Sequence, residues 1–389
     1  MPDLVSVGLL TRVFPPALVD EVIAGVGRTE RRKRSLPARV VAYFVIALGL
    51  YSQGSYEDVF AQLTDGLSWS SRWRETWVAP SASAIFQARV RLGVEAMEAL
   101  FRRVARPLAT PVTPGSWLAG RRLVSIDGTC LDVADTVEND GAFGRPGVNK
   151  GERAAFPQVR MVALVECGTH ALFDAVIGPC STGEVELSRE LVKRLEPGML
   201  LLADRGFYGF PLWQSAVSTG ADLLWRMRSS QRLDVVEELA DGSYLSQVFE
   251  VHNFKRRGDG LTVRVVDYTF DDGRDNDTVY QLITTILDPT EASATELALA
   301  YAQRWEIENV LDELKTHQRG PRAVLRSKSP DLVKQEIWGY LCCHFAIRSL
   351  MWEAAHHEHL DPDRVSFTTA LRIVRRSVSQ PRDFSPSPA

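Results

Sequence analysis

A chain of 389 residues, 45% hydrophobic and 24% charged, has a globular balance and room for two to three domains. Five cysteines, an odd number without a CxxC pair, argue against a disulfide framework or structural zinc, and no apolar run reaches the roughly 20 residues that span a bilayer. The net charge of −4 hides five basic clusters, Arg28–Arg34, Arg102–Arg106, Lys255–Arg257, Arg319–Lys328 and Arg372–Arg376, which make an anionic polymer a plausible partner despite the acidic balance. With no signal-peptide core at the N-terminus, the expected location is the cytoplasm.

Residues up to Leu108 read as helical. Pro15-Pro16 precede an amphipathic stretch, Ala17 to Val26, and Pro37 opens an apolar helix to Tyr51. Ser55 caps Tyr56–Leu63, and Pro80-Ser81 opens Ala82–Leu92, which Gly93 ends. Met97, Leu100, Phe101 and Val104 recur at helical spacing, so this pair is either a helix-turn-helix or a plain helical hairpin. A Pro-rich linker, Pro107 to Gly115, separates this part from strands at Leu123–Ile126, Val159–Val165, Ala171–Ile177, Met199–Ala203 and Ala221–Met227. Helical patterns at Glu184–Leu195 and Leu212–Val217 lie between them, which indicates an α/β core with a mixed sheet. Turn signals at Asp241-Gly242, Gly258–Gly260 and Asp272-Gly273 mark a β-rich insertion over 228–279. The core resumes at Tyr280–Ile286, a long helix is predicted from Thr295 to His317, and an apolar one from Leu332 to Ala355. Gln380–Ala389 is Pro- and Ser-rich and expected to be disordered.

Three carboxylates stand out by position. Asp127 and Asp204 each close an apolar run, where ligands gather in open α/β sheets. A strand-end aspartate is equally at home in a turn, so neither is decisive alone. The third, Glu308, lies on the predicted long helix. At about 100° per residue it shares one stripe with Tyr301, Arg304 and Lys315, whereas Glu306 and Glu313 point elsewhere. A salt-bridged helix face would explain such a stripe too. Asp312 lies on the same stripe and is a competing candidate. Two aspartates and a glutamate form an all-oxygen set suited to Mg²⁺ or Mn²⁺. Two such ions can activate a water or 3′-hydroxyl and stabilise the leaving oxygen of a phosphodiester. The absence of a GxxxxGK[ST] loop disfavours nucleotide hydrolysis.

Tyr301-x2-Arg304-x3-Glu308-x6-Lys315 is the YREK signature, and the chain resembles the IS-four insertion-sequence transposases. Ser125-Ile126-Asp127-Gly128-Thr129, Ala203-Asp204-Arg205-Gly206-Phe207-Tyr208-Gly209 and Leu10–Pro15 are similar to that family's other motifs. The resemblance spans roughly residues 8 to 380. It implies an RNase H-like core with a β-strand insertion and an all-helical N-terminal domain. The corresponding division is 1–110 for DNA-end recognition, 120–227 and 280–358 for the core, 228–279 for the insertion and 359–389 for a partly disordered C-terminal segment. It further implies that Asp127, Asp204 and Glu308 are catalytic and bind two divalent ions, Mg²⁺ or Mn²⁺. Tyr301, Arg304 and Lys315 would contact phosphate near the cut end, an arginine fork, a lysine point charge and a phenol all suiting that ligand. The implied partners are double-stranded DNA, as transposon inverted-repeat ends and as target, with a homodimer in the DNA-bound complex. The implied activity is metal-dependent cleavage at transposon ends followed by strand transfer, by cut-and-paste. An RNase H-like nuclease without strand transfer and an inactive DNA-binding derivative are the alternatives; the intact carboxylates oppose the second.

Some relatives stack a flipped base on a tryptophan of the insertion. Trp225 is the candidate DNA-binding residue for that role, with core packing the stronger reading. Trp213 and Trp305 are expected in the core, His317 is expected to cap its helix, and His356, His357 and His359 are expected to be exposed.

Overall fold

The computed structural model describes residues 10–30, 36–67, 80–147, 153–228, 231, 233–250, 260–269, 279–321 and 323–376. The basic residues Arg31–Arg34, Lys255–Arg257 and Arg322, the turns at Gly258 and Asp272-Gly273, and the Gln380–Ala389 tail lie outside them.

The N-terminal part contains helices α1 (Pro16–Gly25), α2 (Ala38–Leu50), α3 (Tyr56–Leu67), α4 (Ala82–Leu92) and α5 (Val94–Val104). Their starts follow from the sequence: proline occupies the first turn of α1, and the Ser81 hydroxyl accepts from the Ala84 N–H at the start of α4. Every residue of α2 from Val41 to Leu50 is buried, because this helix lies against α11 (Pro330–His357). The crossing is close. A Cβ at Gly339 would sit 2.4 Å from the Val45 carbonyl oxygen, and one at Gly49 would sit 2.7 Å from Cys343 Cβ. Cys342 and Cys343 are fully buried, as small core residues.

The helix pair α4–α5 is a hairpin docked on the rest of the molecule. Met97, Leu100 and Phe101 are buried, and Phe101 lies 5.4 Å from the Trp338 ring. Arg89 of α4 is 1% exposed and donates to Gln335, Tyr56, Ser327 and the Leu332 carbonyl. Part of the basic character of this region is therefore spent internally.

The sheet runs in the order β4-β3-β2-β5-β6-β10-β9-β8-β7. Its strands are β1 (Trp117–Leu118), β2 (Arg121–Asp132), β3 (Gln158–Glu166), β4 (Ala171–Pro179), β5 (Met199–Ala203), β6 (Asp222–Arg226), β7 (Glu237–Glu238), β8 (Tyr244–Val248), β9 (Leu261–Thr269) and β10 (Val279–Thr284). β1 pairs only with β2. The antiparallel meander β2-β3-β4, extended by β5 and β6 parallel to β2, is the RNase H-like arrangement. All five residues of β5 are buried, with Leu201 and Ala203 in one apolar cluster and Leu200 and Leu202 in another. A strand covered on both faces reads as a continuous apolar run, which is why it was legible. Helices α6 (Val137–Phe143), α7 (Glu184–Leu191) and α8 (Phe210–Val217) connect or cover these strands.

Three features go beyond the sequence reading. The β-rich insertion joins the core sheet, because β10 pairs with β6 on one side and β9 on the other. The expected long helix is broken into α9 (Ala294–Ala302), a 3₁₀ turn (Gln303–Trp305), α10 (Glu306–Asp312) and a π-helical stretch (Glu313–Gln318). The C-terminal segment contains a further helix, α12 (Phe367–Arg376), which buries Phe367, Leu371 and Val374.

Candidate active site

Parallel pairing of β2 with β5 ends at Ile126↔Ala203, so Asp127 and Asp204 follow in adjacent register. β5 stops there, but β2 continues against β3 as far as Asp132. Asp127 is thus not a strand end, as expected, but a residue facing the opening where its parallel neighbour stops. α10 lies against β2 at this point.

The Gly128 N–H donates to Asp127 Oδ1 at 2.7 Å. One guanidinium nitrogen of Arg304 lies 4.0 Å from Asp127 Oδ2, and the other donates to Glu308 Oε1 at 3.1 Å. Asp204 acts electrostatically on both Arg304 and Tyr301. The described structure therefore gathers all three expected carboxylates around Arg304. Burial pushes the Asp127 carboxyl up to about 6, against the Gly128 N–H and Arg304, which lower it; Glu184 and Glu308 raise it further. The carboxylate is short of positive charge even with Arg304 beside it. An all-oxygen donor set in that condition fits a hard divalent cation.

Arg304 is itself held in place. Its guanidinium lies 4.7 Å from the Trp305 ring centre and 5.9 Å from that of Tyr301. Tyr301 is 5% exposed and its hydroxyl donates to the Ala203 carbonyl at 3.3 Å, which ties α9 to the end of β5. Burial raises its pKa, and the ring is covered. Trp305 departs from its expected core position, being 58% exposed beside Arg304. Lys315 is exposed on the π-helical stretch, with no ion pair among the described residues. The competing Asp312 accepts from Thr316 Oγ1 at 2.5 Å and lies 3.5 Å from His317 Nε2, so its local partners account for it.

Trp225 follows the core-packing reading. It is fully buried, 5.2 Å from Trp213 in an edge-on contact, and its ring is unavailable to a base. The alternation of β6 sends residue 225 into the core. Trp213 is buried and His356, His357 and His359 are exposed, as the pattern predicts.

A second charged group lies behind the signature segment and was not anticipated. Glu306 accepts from the Gly168 N–H and lies 3.3 Å from His170 Nε2, which is 3.1 Å from Asp363. Glu313 accepts from Arg348 and pairs with His344 at 3.0 Å. His170, Glu306 and Asp363 are close enough together to hold a cation. Yet against burial, which lowers it, the Asp363 and Glu306 carboxylates raise the His170 pKa to about 9, so at neutral pH the ring holds its proton and offers those carboxylates a partner of its own. Charged residues on a helix read as solvated from sequence, and nothing but the misfit of Glu306 and Glu313 to the outer stripe signalled this cluster.

Sequence comparison adds an independent line. Residues 4–102 match the profile "Insertion element 4 transposase N-terminal", and residues 118–346 match "Transposase DDE domain". The chain is 30% identical over 378 residues to the transposase InsG of insertion sequence element IS4 from Escherichia coli (strain K12), covering 95% of this chain and 83% of that protein. It is 26% identical over 221 residues to InsZ of the same organism, also named as a transposase, covering 57% and 71%. The cryo-EM structure of a piggyBac transposase synaptic complex with hairpin DNA aligns with a TM-score of 0.47 at 12% identity, over 96% of this chain and 80% of that one. At that distance the fold assignment rests on the strand order and the matched DDE domain.

Proposed function

Because this chain belongs to the IS4 family of DDE transposases, DNA-processing enzymes that use divalent metal, we propose that Asp127, Asp204 and Glu308 are its metal-binding catalytic carboxylates. The observation that carries this reading is the position of Arg304, within 4.0 Å of Asp127 and hydrogen-bonded to Glu308, with Asp204 in register beside Asp127. Two Mg²⁺ or Mn²⁺ ions bound there would supply Lewis-acid activation of a water or 3′-hydroxyl and stabilise the leaving oxygen. The substrate is double-stranded DNA, cleaved at the inverted-repeat ends and joined to target DNA by cut-and-paste. A homodimer assembles on the two ends. The helical domain of residues 1–110 recognises the ends, and the strands of 228–279 extend the core beside the site.

The chain's own side chains divide the remaining work. Arg304 and Lys315 bind phosphate, the first from a fixed position between Tyr301 and Trp305, the second as an exposed point charge. Tyr301 is a positioning residue, because its hydroxyl is committed to the Ala203 carbonyl. Trp225 has no DNA role in this scheme.

Cleavage of DNA carrying the element's own ends should require Mg²⁺ or Mn²⁺. Asp204→Ala should abolish cutting and leave end binding intact. Undiminished cleavage by that variant, or by the native chain in excess chelator, would refute the assignment.

A further inference from the structure

An arginine borders the three carboxylates from the side of the insertion. The parallel strands β2, β5 and β6 are in register at Ile126↔Ala203 and at Ala203↔Trp225. One residue further along each come Asp127, Asp204 and Arg226, so the row of two aspartates continues into a cation. Ile126, Ala203 and Trp225 share one apolar cluster. Alternation turns Asp127 and Arg226 to the opposite face, where Leu202, Leu224, Leu282 and Tyr301 lie. The charge of Arg226 is felt there by Tyr301.

Arg226 is half-buried, and among the described residues it has no hydrogen bond and no ion pair. Its guanidinium lies over Tyr280 of β10, 4.3 Å from the ring centre, and that ring is 5.5 Å from Tyr268 of β9. A guanidinium laid on an aromatic ring keeps its N–H edge free for a planar acceptor. Asp267 is no partner for it. Alternation puts Asp267 on the other face from Tyr268, where Gln281 donates to it at 3.0 Å. Arg264 of β9 shows how a structural arginine of this region is satisfied. It is fully buried and donates to Asp241, to Ser243 Oγ at 2.8 Å and to the Ala292 carbonyl at 2.7 Å. Arg226 has none of this. An oriented arginine fork without an anion, in register with two carboxylates of a phosphodiester-cleaving site, has the chemistry of a phosphate contact.

We propose that Arg226 binds a backbone phosphate of the DNA end on the insertion side of the site, so that the strand is held across Asp204 between Arg304 and Arg226. This rests on the reading of Asp127, Asp204 and Glu308 as the cleaving carboxylates. The test is binding of the full chain to a duplex carrying one of the element's own ends, in excess chelator and over a range of salt, with folding checked by circular dichroism. Arg226→Met should weaken binding by about tenfold or more, the scale of a lost charge-assisted hydrogen bond. It should also make the slope of log K against log salt about 0.9 shallower. Arg226→Lys should restore the slope but only part of the affinity, because a point charge does not reproduce the planar fork. Arg189→Met, on the helix α7 that covers the opposite face of the sheet, should bind as the native chain does. Uncharged methylphosphonates placed singly along the duplex should locate the contact: at one position close to the cut, the native chain and Arg226→Met should bind equally. Should Arg226→Met fail to fold, Arg226→Gln decides on the same criterion. A native slope in the folded variant, or a deficit that no single methylphosphonate removes, overturns the contact and leaves the carboxylates in place. Cleavage by Asp204→Ala overturns the reading of the site and the proposal with it.

Discussion

The signature segment from Ala294 to Gln318 has two charged faces that differ in what satisfies them. On the inner face, Glu306 and Glu313 are each 7% exposed and are met by His170, His344, Arg348 and the Gly168 N–H. On the outer face, Arg304 is shared between Asp127 and Glu308, the Asp127 carboxyl is still pushed up to about 6, and Lys315 is exposed. Buried charge that the chain pairs for itself is structural, whereas carboxylates left short of counter-charge mark a site. Charge density alone would not separate the two faces.

Removing a partner from the inner face should therefore hurt folding. Arg348→Met leaves Glu313 buried with only His344 and should cost about 3–5 kcal/mol in denaturant unfolding. A loss below about 1 kcal/mol would show the inner cluster to be loosely held. On the outer face the order reverses. Glu308→Gln should lower strand cleavage by on the order of 10²–10³-fold, the scale seen when a group stabilising transition-state charge is lost. Its unfolding midpoint should stay near that of the native chain, and a matching loss of stability would erase the contrast.

Asp127 allows a sharper test through pH. Its folded-state carboxyl titrates above the unfolded value, so the group favours folding only at low pH. That advantage is lost as pH rises through about 6. In metal-free protein, Asp127→Asn should then add stability at pH 7.5, by about 3 kcal/mol at most. The gain should shrink as pH falls through 6 and vanish below about 4. A destabilised Asp127→Asn at pH 7.5 without metal would mean that the carboxylate is already satisfied by Arg304. The smallest expected effect belongs to Lys315→Ala. Binding to DNA ends should weaken, with the slope of log K against log salt about 0.9 shallower, since one fewer counterion is released. An unchanged slope would remove Lys315 from the DNA surface.

Much of this was legible because the deciding patterns are local. The buried strand before Asp204 is a continuous apolar run, and the spacing of Tyr301, Arg304, Glu308 and Lys315 puts them on one side of a helix. The actual segment is overwound at Gln303–Trp305 and underwound at Glu313–Gln318, two opposite departures that a single helical period does not reveal. Trp305 was misplaced because hydrophobicity argued for the core, while the neighbouring Arg304 gives the ring a partner at the surface. Trp225 packs in the core, as its apolar neighbours predict, because strand alternation sets it against Trp213.

The most direct measurement is the anomalous scattering of Mn²⁺ in crystals of the chain. The account predicts ions in contact with the carboxylate oxygens of Asp127, Asp204 and Glu308, at the oxygen distances usual for a hard divalent cation. An ion held by His170, Glu306 and Asp363 on the inner face, with the three outer carboxylates free of metal, would contradict it.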